Sequence, residues 1–156
     1  ASLKIIKDEL SRMSHKELTG VISSLLKFRK ENKEFVTYLL FDSKDEAEFI
    51  KSIKAEMDAA MEPVTRYNVR PMIKLIRKTL RNTRKAIKFS SEKETSIQLL
   101  MHFCSIIKAK NLPVTRFKSL NLMWDRCILN INKDILSLHE DLRYDYGVEL
   151  KALIED

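Results

Sequence analysis

Nine Lys or Arg residues and no Asp or Glu lie between Glu62 and Glu92, a run whose chemistry is attraction for phosphates or carboxylates. Residues 1–62 hold 11 basic and 12 acidic groups, and residues 92–156 hold 9 and 10. Each flank therefore nets −1, the middle +9 and the chain +7. Turned through about 100° per residue on a helix over 68–89, Arg70, Lys74, Arg77, Lys78, Arg81, Arg84, Lys85 and Lys88 share about a third of the circumference. Val69, Met72, Ile73, Ile76, Leu80 and Ile87 lie opposite. These eight cations are the candidate polyanion-binding residues.

Other reactive side chains are sparse. His15 falls in the first turn of an expected helix, where it is solvated. His102 lies two residues from Cys104, and positions two apart on a helix face away from each other, so the pair does not chelate one metal. His139 neighbours Glu140 and Asp141 near a helix end, a favourable place for a cation beside the C-terminal dipole. Glycine occurs only at Gly20 and Gly147, which rules out a Gly-rich phosphate loop. There is no Glu-x-x-His pair of the carboxylate-bridged metal bundles and no His-Glu-x-x-His zinc motif. The expectation is a protein that is not an enzyme, with no metal and no cofactor. An enzyme would need a pocket combining, for example, His102 with carboxylates from other helices.

The elements that position the basic run are helices. A chain of 156 residues with 44% apolar and 33% charged residues but two Gly and three Pro has little turn chemistry and suits one all-α domain, 1–156. Three Ser residues are each followed three positions later by Glu: Ser14 with Glu17, Ser43 with Glu46, and Ser91 with Glu94. Each pair fits a capping box and predicts a helix start. The first helix carries Leu18, Val21, Ile22, Leu25 and Leu26 and is interrupted at Lys27–Lys30; a second carries Phe35, Val36, Leu39 and Leu40, and the two make an antiparallel hairpin. A third runs from about Lys44 to Ala60 and ends at Pro63. The basic helix takes Asn68 as N-cap, which puts Pro71 inside its first turn, where a missing amide donor is tolerated. A fifth helix places Ile97, Leu100, Met101, Cys104 and Ile107 on one face and stops near Asn111 and Pro113. A sixth begins near Ser119 and carries Leu120, Met123, Trp124, Cys127, Ile131 and Ile135. Gly147 is expected to break the chain before a short last helix. Met101, Met123 and Trp124 are core residues in this reading, and Tyr144 and Tyr146 are exposed.

Pro63, Val64, Thr65, Arg66 and Tyr67 recur as Pro113, Val114, Thr115, Arg116 and Phe117, each time before a long amphipathic helix. A shift of 51 then superposes Val69 on Leu120, Met72 on Met123, Ile76 on Cys127 and Leu80 on Ile131. A period near 50 suits a helical hairpin repeat with units 14–60, 63–110 and 113–156, although any two amphipathic helices superpose on their apolar positions.

The opening, a capped Leu-rich helix followed by Glu31, Asn32, Lys33, Glu34, Phe35 and a second Leu-rich helix, resembles an uncharacterised family of small bacterial helical proteins. Those proteins also place a basic helix mid-chain. The resemblance extends over most of the chain without a signature residue, implies a layout like HEAT-type helical hairpin stacks, and implies no activity. The family's aromatic, Gly-containing ending is echoed in part by Tyr144, Tyr146 and Gly147.

The expected architecture is six or seven helices as antiparallel hairpins, in an α-α superhelix (HEAT-like) or an irregular bundle. No apolar run approaches the roughly 20 residues that span a bilayer, the first residues lack the regions of a signal peptide, and Cys104 and Cys127 read as free buried thiols, so a cytoplasmic protein is expected. The basic face has three readings: a solvated or internally paired surface, neutralised by acids such as Asp45, Glu46, Glu48, Glu56, Asp58 and Glu62; a nucleic-acid phosphate contact; or a site for an acidic protein. A membrane partner is not expected, because the apolar side of the helix is committed to the core. The role that fits these features is a binding or scaffolding module.

Overall fold

The computed structural model describes residues 1–155, and they contain eight α-helices and no strand. The chain divides into two compact units, Ala1–Lys44 and a second from Asp45 onward. The first holds α1 (Leu3–Arg12), α2 (His15–Phe28), α3 (Lys30–Leu40) and a 3-10 turn (Asp42–Lys44). Helices α2 and α3 form the expected hairpin, joined at Arg29, with Asn32 Nδ2 donating to the Leu25 carbonyl at 2.7 Å. The Ser14 capping box is present: the Glu17 amide donates to Ser14 Oγ at 3.3 Å and the Ser14 amide to Glu17 Oε2 at 2.7 Å. The bond from that backbone amide, followed by the one from the Ser14 hydroxyl, holds the Glu17 carboxyl below its ordinary range. Helix α1 was not expected; Ser2 Oγ caps it by accepting from the Ile5 amide at 3.4 Å.

The second unit holds α4 (Glu46–Met61), α5 (Val69–Phe89), α6 (Lys93–Ala109), α7 (Lys118–Leu136) and α8 (Glu140–Glu155). Helix α6 is the centre. From Glu94 to Lys108 no residue is exposed, and Leu99, Phe103 and Ile106 are buried as well as the single face expected from spacing. A strip through Glu94, Gln98, His102 and Ser105 stays half-exposed; a helix apolar over most of its circumference must be covered from several sides, and α6 packs against α4, α5, α7 and α8. Polar ties give the directions. Glu46 Oε1 accepts from Thr95 Oγ1 at 2.6 Å, and Asp58 Oδ1 meets His102 Nε2 at 2.7 Å, so α4 and α6 run parallel. Arg77 reaches Ser119 and Arg84 reaches Asn130, so α5 and α7 also run parallel. Helices α4, α6 and α8 form one row, with α5 and α7 packed behind it.

Three boundary expectations are corrected. Ser43 lies in the 3-10 turn and bonds to the Leu39 carbonyl, while Asp45 caps α4 by accepting from the Glu48 amide at 3.1 Å. Ser91 caps nothing among the described residues; α6 starts at Lys93 without a side-chain cap. In both cases the Glu of the supposed box is taken by a distant partner. Glu46 accepts from Ser90 and Thr95, and Glu94 accepts from the Tyr146 hydroxyl at 2.8 Å. Helix α8 passes through Gly147 unbroken. A glycine inside a helix costs roughly 0.5–1 kcal/mol, and the flanking residues Tyr146 and Leu150, both buried, hold the segment against the core. Eight helices therefore replace the expected six or seven. Asn68 is the N-cap residue as expected, and Pro71 is the third residue of α5. The Asn68 side chain serves the loop instead of the helix, its Oδ1 accepting from the Thr65 amide at 2.7 Å and its Nδ2 donating to the Pro63 carbonyl at 2.9 Å.

Tyr146 is buried, contrary to the expectation of exposure, whereas Tyr144 is exposed. Burial, and then donation to Glu94, pushes its phenol up to about 12. Below pH 10 both folded and unfolded chains keep this proton; between about 10 and 12 only the folded chain keeps it, so stability falls with rising pH across that window. Tyr146→Phe should flatten this loss by about 1–2 kcal/mol, read from urea midpoints between pH 9 and 12. An unchanged slope would show that other groups govern the alkaline limit.

A candidate polyanion-binding groove

The basic helix folds as its pattern requires. Val69, Ile76, Thr79, Leu80, Thr83 and Ala86 are buried, and Met72, Ile73 and Ile87 are half-buried against the core. Thr79 and Thr83 satisfy their hydroxyls by donating to the carbonyls of Leu75 and Thr79, each at 2.9 Å. With that face fixed inward, the candidate cations are forced outward. Arg70, Lys74, Arg77, Lys78, Arg81 and Lys88 are exposed; Arg84 and Lys85 are half-buried.

Not all eight line one site. Arg77, Arg81, Arg84, Lys85 and Lys88 form one wall of a groove of about 1000 Å³ between α5 and α7, while Arg70, Lys74 and Lys78 lie outside it. The floor includes Leu80, Ser96, Leu100 and Met123, and the far wall carries Ser119, Leu122, Arg126, Leu129, Asn130 and Asp134. The groove thus presents six cations against one carboxylate. Asp134 is itself held by Lys93 at 3.6 Å.

Seven of the eight cations of α5 have, among the described residues, no acid of α4 paired with them. Among the described residues, Arg70, Lys74, Arg77, Lys78, Arg81, Arg84 and Lys88 form no ion pair. Their protein partners are neutral: Arg77 Nη2 donates to Ser119 Oγ at 3.4 Å, and Arg84 Nη1 to Asn130 Oδ1 at 3.0 Å. Arg84 Nη2 also lies 4.0 Å from Cys127 Sγ. Neutral partners orient a guanidinium without cancelling its charge. The acids of α4 have other attachments: Glu48 with Lys51 at 3.6 Å, and Asp58 with His102.

Beneath Arg84, Cys104 and Cys127 are free and fully buried. The two thiols interact: Cys127, and then burial, pushes the Cys104 thiol far up, while Cys104, aided by Arg84, holds Cys127 down.

His102 does meet a carboxylate from another helix, Asp58, beside a cleft of about 480 Å³ also lined by Lys54, Gln98, Ser105, Tyr146 and Glu149. Nothing there is aligned as a nucleophile: Ser105 Oγ donates to the His102 carbonyl at 2.7 Å, and the Tyr146 hydroxyl donates to Glu94 and accepts from Gln98. The dyad ties α4 to α6. His15 is exposed at the start of α2, and His139 immediately precedes α8, at a helix start instead of the expected helix end. Among the described residues no three His, Cys, Asp or Glu groups are placed to hold a metal, and no helix is long and apolar enough to cross a membrane.

Spacing along α5 found one wall of the groove. Arg126, Ser119 and Asn130 on the other were missed, because which face of α7 turns toward α5 depends on packing around α6. Comparison with protein-family models, curated proteins and solved structures found no match.

Both thiols should resist iodoacetamide in the native protein and react together once urea unfolds it, as counted by mass spectrometry. Rapid native labelling of Cys127 would show that the groove floor opens to solvent.

Proposed function

We propose that this protein is a non-enzymatic binding or scaffolding module that takes an anionic macromolecule along the groove between α5 and α7. In this reading the two helical rows are a short α-α superhelix of the HEAT-like kind, and the face of the second row is its binding surface. The observation that carries the proposal is the crowding of like charge on a rigid support. Arg81 has Arg77, Lys78, Arg84 and Lys85 at its four helical neighbour positions, and no acid answers it from across the groove except Asp134, which Lys93 already engages. Each like-charged neighbour three or four residues away costs a helix about 0.2–0.5 kcal/mol. A merely solvated face gains solubility from mixed charge and has no use for this arrangement. An anion in the groove turns the repulsion into attraction and displaces counterions from it.

The test follows from the same arithmetic. Arg81→Glu replaces four repulsive neighbour pairs with four attractive ones, and should stabilise the free protein by about 2–4 kcal/mol at low salt. It should also weaken heparin binding at least tenfold, and wild-type binding should itself fall steeply as salt rises. Thermal unfolding and a heparin titration across a salt series read both effects. Heparin affinity that is absent in the wild type, or unaltered by Arg81→Glu, would overturn the proposal.

A further inference from the structure

The two walls of the groove are chemically different, and the difference identifies the kind of anion. Opposite the Arg and Lys of α5, helix α7 raises Leu122 and Leu129, which are 46% and 70% exposed and line the groove. Leu136, 67% exposed, continues their row at the same spacing of seven. Nothing in the core asks for these leucines: α7 is anchored by Leu120, Met123, Cys127, Ile131 and Ile135 on its other side. A spacing of seven on a helix repeats about every 10.5 Å along one side, which is how a helix presents an apolar seam to another helix.

We infer that the natural occupant of the groove is an acidic amphipathic helix of a partner protein, about four turns long, seating its apolar face on the α7 leucines and the Leu80–Met123 floor while its carboxylates meet Arg77, Arg81, Arg84 and Lys88. This rests on the groove being the binding surface, as proposed above. The length follows from the walls. Arg77 to Lys88 spans about 16 Å and Leu122 to Leu136 about 21 Å at 1.5 Å per residue, so a helix of 12–15 residues covers both. A nucleic-acid occupant fits this groove poorly. A phosphate backbone gains nothing from a leucine lip, and the residues lining the groove include no aromatic ring for base stacking. Apolar anchors on one side and charge on the other is the helix-in-groove pattern.

The experiment uses the full chain and three probes in anisotropy titrations: a labelled 18-residue peptide with Leu at positions 3, 6, 10, 13 and 17 and Glu and Ala elsewhere, the same composition in scrambled order, and a labelled 18-base-pair DNA duplex, with heparin as competitor. The ordered peptide should bind about tenfold or more tightly than the scrambled one, and its helicity should rise on binding. Leu122→Asn with Leu129→Asn, both at exposed positions that leave the core untouched, should remove that preference; Arg81→Glu should weaken binding of both heparin and the ordered peptide. Equal binding of ordered and scrambled peptides, or no effect of the leucine changes, would overturn the helix assignment and leave the polyanion reading standing. Duplex DNA bound more tightly than the ordered peptide, and insensitive to the leucine changes, would overturn it in favour of nucleic acid. Failure of wild-type protein to bind heparin, duplex and peptide alike would overturn both readings.

Discussion

Helix α6 is buried around most of its circumference, and the second unit is organised around covering it. Eight apolar side chains on this helix are buried, with Ile97, Leu99, Phe103 and Cys104 fully removed from solvent. At roughly 1–3 kcal/mol for each large side chain, this burial outweighs any electrostatic effect on the surface. One neighbour cannot cover a helix buried over most of its circumference, so α4 and α8 flank it and α5 and α7 pack behind. The groove is a by-product of that demand: two helices that both need α6 sit side by side over it, joined by Arg77 to Ser119 and Arg84 to Asn130.

The same hierarchy explains how α5 holds its charge. A helix with Arg77, Lys78, Arg84 and Lys85 around Arg81 is a poor helix in isolation, since each pair subtracts a few tenths of a kcal/mol. Tertiary burial of Val69, Ile76 and Leu80 makes good that loss. The acids that composition suggested as counter-charges are engaged in fixing the scaffold: Glu46 joins the start of α4 to the start of α6, Asp58 joins the same helices further along, and Glu94 joins α6 to α8. At the far end Lys110 Nζ donates to the carbonyls of Glu62 and Val64 at 3.3 and 3.0 Å, closing the turn after α4. These carboxylates hold the rows together, and Arg70, Lys74, Arg77, Lys78, Arg81, Arg84 and Lys88 form no ion pair among the described residues.

Local signals were legible where nothing distant competed for them. Ser14 and Glu17 are exposed and form the capping box their spacing announces. Ser43–Glu46 and Ser91–Glu94 have the same spacing and form none, because each Glu finds a partly buried hydroxyl on another helix, where a bond to a carboxylate is stronger than at a solvated helix end. The Gly147 break failed for a related reason: anchoring of Tyr146 and Leu150 outweighs a local propensity cost. The basic face of α5 was readable from periodicity, since one helix suffices to define it. The groove was not, because it takes the relative rotation of α5 and α7 to bring Arg77 against Ser119 and Arg84 against Asn130. The two Pro-Val-Thr-Arg-aromatic segments show what a short motif does encode. In each the Arg guanidinium lies over the next aromatic ring, 5.2 Å from Tyr67 and 5.6 Å from Phe117, and each leads into a helix whose apolar stripe meets the core.

The walls of the groove are as rigid as the core that sets them. Ile76 and Leu80 fix the rotation of α5, and Cys127 and Ile131 fix that of α7; all four are buried. Turning either helix by one residue, about 100°, would carry charges into α6, so the cations and leucines hold a single spacing before any partner arrives. A surface preorganised in this way leaves the entropy of ordering to the ligand. For the occupant proposed above, that favours one stiff element over a flexible chain, and it ties the geometry of the groove walls on α5 and α7 to the integrity of the helix between them.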